Sequence, residues 1–231
     1  MSNIKGFQRV SLIDYPDNIA AIIFLGGCNF RCLYCHNPEL VLTPAKISSI
    51  DKKEVFDYLL KRKKMLDGVV ITGGEPCLTP DLIDLIKQIK AIGLKVKLDT
   101  NGTMPHRLEE ALPLVDYVAM DIKSSIQGYE KVIGVKTNIE NIKKSVELIR
   151  SKAKDYEFRT TLVRNLITKE DIKEICSWLK GSKKYSLQQF NKNCPIIDGK
   201  LRLNNLFLPE ELEGFRNYCK DYFETVEIRG L

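Results

Sequence analysis

Short apolar runs alternate with longer amphipathic stretches along this chain, and the alternation predicts strand followed by helix about six times over. Residues 19–25 (IAAIIFL) read as a buried strand, and 69–72, 95–99, 117–122, 156–163 and 185–190 read as five more. Apolar residues at helical spacing predict helices over 51–64, 80–92, 106–112, 139–150 and 169–180, with a final helix at 209–221 and a terminal strand near 225–228. Asp51 is placed to cap the first helix, with Glu54 completing a capping box. Gly93 and Gly181 follow two of the predicted helices, where a left-handed residue ends the turn. Residues 6–17 form an N-terminal segment ahead of the first strand.

Strand–helix repetition of this kind indicates an α/β fold with parallel strands. Strands as apolar as IAAIIFL are buried on both faces, which suits either an open doubly wound sheet or a full or partial barrel. No Ser/Gly-rich linker and no repeat breaks the 231 residues, so one domain spanning 1–231 is expected. Hydrophobic residues make up 44% and charged residues 29% of the chain, ordinary values for a globular protein. The longest apolar run suits a strand and is too short for a membrane helix. MSNIKGFQRV lacks the layout of a secretory signal, and the cytoplasm is the expected location. The net charge is +6, and Lys61-Arg62-Lys63-Lys64 is the densest basic run. A helix end accounts for that run, so neither nucleic acid nor membrane is an expected partner.

Seven cysteines change the picture. In a reducing compartment, cysteines at short spacing indicate metal or redox chemistry before disulfides. Cys28, Cys32 and Cys35 form CxxxCxxC within GGCNFRCLYCHN, whereas Cys77, Cys176, Cys194 and Cys219 are scattered and read as packing or surface residues. Three thiolates from one loop suit three irons of a cubane, which normally takes four, so one iron stays open to another ligand. Zinc completed by His36 is the competing reading, but Cys35 and His36 are adjacent, an awkward arrangement for one tetrahedral ion.

Other unusual polar residues fall at successive predicted strand ends. Gly73-Gly74-Glu75-Pro76 follows the second strand, Asp99-Thr100-Asn101-Gly102 ends the third, and Asp121 and Lys123 end the fourth; Arg159 lies in the fifth and Gln188 and Gln189 in the sixth. In parallel β/α folds the carboxyl ends of strands share one rim, where active sites are built. Glu75 and the neighbouring backbone would there meet a ligand ammonium. Each motif also has a structural reading: a tight turn for the glycine motifs, an ion pair for Asp121 and Lys123.

CxxxCxxC with Tyr34 before the last cysteine, followed by GGEP, resembles the radical S-adenosylmethionine enzymes. The stretch SLIDYPDNIAAIIFLGGCNFRCLYCHNPEL, with later DTNG and MDIK, resembles the glycyl-radical activating enzymes. It is most similar to the anaerobic ribonucleoside-triphosphate reductase activating proteins in their longer, pyruvate formate-lyase activase-like form. The resemblance implies a partial (β/α)6 TIM-like barrel with a core of about 17–190 and a short C-terminal extension, 191–231. It implies a 4Fe–4S cluster on Cys28, Cys32 and Cys35, with S-adenosylmethionine on the open iron. Gly73, Gly74 and Glu75 would position the methionine ammonium, and Tyr34 and His36 would flank the adenine. Asp99 and Asp121 would hold a monovalent cation, and Lys123 and Arg159 would contact the methionine carboxylate or ribose. Gln189 stands where the family has a histidine. A flavodoxin or ferredoxin would supply one electron, the carbon–sulfur bond would break to methionine and a 5′-deoxyadenosyl radical, and that radical would take a Cα hydrogen from a glycine of a partner. The implied partner is an anaerobic ribonucleoside-triphosphate reductase; a pyruvate formate-lyase-like enzyme, or a small molecule or peptide, is the alternative.

Overall fold

The computed structural model describes residues 3–202 and 206–230; residues 1–2 and the parts of the expected extension at 203–205 and 231 lie outside it. In chain order the elements are β1 (Ile4–Ser11), β2 (Ala20–Leu25), α1 (Pro38–Leu42), α2 (Lys52–Arg62), β3 (Gly68–Gly73), α3 (Leu82–Ile92) and β4 (Lys95–Thr100). There follow α4 (Pro105–Ala111), β5 (Tyr117–Asp121), α5 (Tyr129–Ile133), α6 (Ile139–Lys152) and β6 (Tyr156–Leu162). The described chain ends with α7 (Lys169–Leu179), β7 (Ser182–Gln189), α8 (Pro209–Cys219) and β8 (Phe223–Arg229). Each strand and helix expected from the apolar pattern is present, its ends moved by a few residues at most. No helix among the described residues is long and apolar enough to cross a membrane.

The pattern worked because burial is regular in these elements. α3 buries Leu82, Leu85, Ile86 and Ile89 on one stripe, and Gly93 closes it at φ +94°. Asp51 caps α2 by accepting from the Lys53 N–H (2.9 Å), without the reciprocal bond expected of Glu54. The capping box forms instead at α7, between Thr168 and Asp171.

Two compact units divide the chain: Met1–Asn29, Glu39–Ala119 and Glu140–Asp155 form the first, and Phe30–Pro38, Met120–Ile139 and Tyr156–Leu231 the second. In the first, β2, β3 and β4 run parallel, with Ala21 opposite Val69 and Val69 opposite Val96. Tyr15, Ala20, Ile22, Val70, Tyr117 and Ala119 pack together in its core. The segment left without structure by the sequence contributes β1, antiparallel to β2. Its register shifts twice and only Ile4 and Ser11 are buried, so no period-two signal survives.

In the second unit β6, β7 and β8 run parallel. Tyr185 of β7 stacks on Phe223 of β8 with centroids 4.7 Å apart. Glu157 of β6, fully buried, receives a two-pronged ion pair from Arg229 of β8 (3.0 and 2.7 Å) and the Ser186 hydroxyl (2.8 Å). The expected extension therefore supplies α8 and β8 as a further β/α unit of the sheet and is not an appendage. Both units are α/β with parallel strands, the fold class expected.

Candidate active site

In the first unit, the end of β3 is built from two glycines and a buried carboxylate. Gly73 has φ +115°, and a Cβ on Gly73 or Gly74 would collide with the carbonyl oxygens of Leu25 and Gly27 respectively. Glycine permits both the angle and the approach. The Gly74 N–H then donates to the Leu25 carbonyl (2.8 Å) and the Glu75 N–H to that of Gly27 (2.8 Å). Gly27 donates its own N–H to the Leu40 carbonyl (2.8 Å), closing the base of the cysteine loop. Glu75 is 1% exposed, and its carboxylate accepts from the Cys77 N–H (3.0 Å), the Thr100 hydroxyl (2.8 Å) and the Asn101 N–H (2.6 Å). Burial raises its pKa, and these neutral donors only partly oppose the shift.

The end of β4 carries Asp99, Thr100 and Asn101. An aspartate closing a buried strand needs a polar partner, and Lys97 provides it: its ammonium lies 2.5 Å from the Asp99 carboxylate. Beyond the strand, the Asn101 Nδ2 donates to Asn29 Oδ1 (2.9 Å) and lies 3.9 Å from the Cys28 sulfur.

Cys32 and Cys35 fall in the second unit. The Cys35 N–H donates to the Cys32 carbonyl (2.9 Å), and the Arg31 N–H to the carbonyl of Ile133 in α5 (2.9 Å), which fixes the loop. Burial pushes the Cys32 thiol up to about 11, against the opposing pull of Lys123, and raises Cys35 as well. A thiol that ligates a metal does so as thiolate, releasing its proton. Tyr34 is buried, with the Lys123 ammonium 5.9 Å from its ring centre, and its hydroxyl has no hydrogen-bond partner among the described residues. Lys123 Nζ lies 3.0 Å from one Asp121 oxygen and Arg159 Nε 2.9 Å from the other. Burial alone would raise the Asp121 pKa, but Arg159 and Lys123 override it and hold it at about 2. His36 stacks on Phe190 with centroids 5.7 Å apart.

Of the expected site residues, Gly73, Gly74 and Glu75 are thus fastened to the start of the cysteine loop, and Tyr34, Lys123, Asp121 and Arg159 form one contact chain. Asp99 is joined to Lys97. Both carboxylates expected to hold a monovalent cation already carry protein cations. Gln189 spends its amide on Phe207, donating to that carbonyl (2.7 Å) and accepting from that N–H (3.4 Å). Among the described residues no three His, Cys, Asp or Glu side chains gather round one point as for a single metal ion. Sequence reading missed two participants. Lys97 had a signal, a lysine inside an apolar strand two residues before an aspartate; Asn101 was absorbed into the turn reading of DTNG.

Residues 22–179 match the family model of the radical SAM superfamily. The chain belongs to the radical SAM superfamily. Over nearly its full length it is similar to activating enzymes for glycyl-radical enzymes. It is 34% identical to a Methanocaldococcus jannaschii protein provisionally named as one, over 99% of this chain and 96% of that protein. It is 30% identical to the pyruvate formate-lyase-activating enzyme of Clostridium pasteurianum, over 97% of this chain and 99% of that enzyme. Among solved structures it shares the fold of Streptococcus suis SuiB bound to precursor peptide SuiA. That match has a TM-score of 0.68 at 16% identity and covers 90% of this chain and 48% of SuiB.

The cysteine motif has the chemistry an iron–sulfur cluster takes. The donor set is three thiols and no fourth at close spacing, and thiolates are the ligands such clusters take. The diglycine turn beside the loop leaves bare backbone where any Cβ would be refused.

Proposed function

We propose that this protein is a radical SAM activase that takes a Cα hydrogen from a glycine of a partner enzyme, the anaerobic ribonucleoside-triphosphate reductase. When bound, a 4Fe–4S cluster and S-adenosylmethionine supply the 5′-deoxyadenosyl radical for that step. Cys28, Cys32 and Cys35 hold the cluster in this reading. Gly73 and Gly74 offer backbone to the methionine ammonium, and Glu75, already occupied by three donors, keeps their turn in place. Asp121 aims Lys123 and Arg159 at the methionine carboxylate or ribose, while Tyr34 and His36 flank the adenine. A monovalent cation at Asp99 would have to compete with Lys97. Flavodoxin or ferredoxin is the proposed electron donor, and the cytoplasm the proposed location.

The reading rests on the family match across residues 22–179 together with the fastening of the GGE turn to the start of the cysteine loop. The motif string from SLIDYPD to CHNPEL supports the reductase as partner. The full-length similarity to the Clostridium enzyme favours a second reading, a pyruvate formate-lyase-like partner.

Anaerobically reconstituted protein, given dithionite and S-adenosylmethionine, should release 5′-deoxyadenosine and methionine, and Cys32→Ala should release neither. Mixing it separately with a purified reductase and a purified pyruvate formate-lyase should give a glycyl-radical doublet by electron paramagnetic resonance with one of them. Cleavage with no doublet from either would turn the assignment toward a small-molecule or peptide substrate.

A further inference from the structure

The Asn101 side chain has no part in the proposed function, yet the residue is 6% exposed and held by a closed set of hydrogen bonds. Its backbone N–H donates to Glu75 (2.6 Å). Its Oδ1 accepts from the Thr103 N–H (3.0 Å) and the Thr103 hydroxyl (2.7 Å). A backbone N–H only donates, so that end of the amide must be oxygen and the other end nitrogen. Nδ2 donates to Asn29 Oδ1 (2.9 Å), and Asn29 closes the ring by donating its own Nδ2 to the Thr103 hydroxyl (2.9 Å). One Asn101 N–H is thereby consumed by Asn29. The second is directed at the Cys28 sulfur, 3.9 Å from Nδ2. The turn itself is anchored to α6, where Asn141 donates to the Thr103 carbonyl (3.1 Å) and the Ser145 hydroxyl to that of Gly102 (2.7 Å). A donor held this firmly acts as a fixed dipole.

We propose that Asn101 is a positioning residue for the cluster, whose amide N–H, fixed by Asn29 and Thr103, meets the Cys28 sulfur and raises the reduction potential. This rests on the proposed role of Cys28 as a cluster ligand. Reduction adds negative charge that spreads onto the ligating sulfurs, and hydrogen bonds to those sulfurs are among the protein's controls of the potential. A donor in a buried setting favours the reduced state, which makes a one-electron donor's task easier.

The test is an anaerobic redox titration, followed by electron paramagnetic resonance, of reconstituted wild type, Asn101→Asp, Asn101→Ala and Thr103→Val, each assayed first for iron and sulfide. Asn101→Asp keeps the size and the acceptor but puts a carboxylate oxygen where the donor was. It should lower the reduced-to-oxidised ratio at the wild-type midpoint about tenfold, equivalent to a shift of about 59 mV for one electron. Asn101→Ala should lower that ratio several-fold. Thr103→Val removes both hydrogen bonds of the ring that use the Thr103 hydroxyl but keeps the Thr103 N–H on Oδ1 and the Nδ2 bond to Asn29, so the donor stays in place. It should stay within about twofold of wild type, whereas general loosening of the turn would shift it as far as Asn101→Ala. Unchanged potentials in both Asn101 variants, an equal shift in Thr103→Val, or loss of iron from both Asn101 variants would each overturn the proposal. Wild type that binds no cubane would overturn the proposed function itself, and that result is read before any variant is titrated.

Discussion

Glu75 and Asp121 are both carboxylates just at or beyond the end of a strand, one in each compact unit, and their surroundings push them in opposite directions. Glu75 meets two backbone N–H groups and a hydroxyl, none of them charged. Burial wins there, and its pKa is raised. Asp121 meets an ammonium and a guanidinium. Charge wins there, and its pKa falls to about 2. The lesson is that a carboxylate ringed by neutral donors is a fastener, tying the GGE turn to the turn after β4. One ringed by cations holds charged heads in position. Identical chemistry at equivalent strand ends therefore serves two separate ends.

Removal of each carboxylate should separate these roles. Asp121→Ala takes away the partner shared by Lys123 and Arg159, whose side chains are 14% and 11% exposed. Breaking such an arrangement costs about 3–5 kcal/mol, and urea unfolding of the metal-free protein should show it. A loss below about 1 kcal/mol would mean that the cations are well solvated without it. Glu75→Gln should cost less, about 1–3 kcal/mol, because one of three donors then faces an NH2 group. Its companion effect should be looser retention of iron after reconstitution, since the turn it fastens holds the base of the cysteine loop.

The pH dependence should have opposite signs at the two sites. Asp121 has its pKa depressed on folding, so its contribution is complete above the unfolded value near 4 and is lost as pH falls toward about 2. Glu75 has its pKa raised, so its contribution is complete below the unfolded value near 4 and declines as pH climbs through the folded value. Stability profiles of the two variants against wild type should each lack one limb; a missing limb on the wrong side would refute the assignment. The smallest effect is expected away from both. Cys176 and Cys219 are buried 43 residues apart with sulfurs at 3.1 Å, and Cys219→Ala should cost about 1 kcal/mol while iron content and cofactor cleavage stay at wild-type levels.

Much of this was visible along the chain. Apolar runs bounded by Gly93, Gly181 and Asp51 located the parallel strands and the helices between them, because both faces of such strands are buried and the signal is local. CxxxCxxC and GGEP were readable for the same reason, as their members lie within a few residues of one another. β1 escaped because its bulges destroy the alternation and an edge strand buries little. Gln188 and Gln189 looked alike, yet Gln189 is spent on the backbone of Phe207, whose place beside it no spacing reveals.

The sequence by itself determined where the candidate residues fall and the order in which the strands present them, since strand period, turn residues and cysteine spacing are short-range properties. The tertiary structure alone decided what each polar group meets: Lys97 on Asp99, Arg159 on Asp121, Arg229 on Glu157, Cys176 on Cys219, and the Asn101 amide turned toward Cys28. Except for Lys97, those partners are separated by tens of residues, and burial makes a partner obligatory without naming it. Only packing brings the particular one within reach.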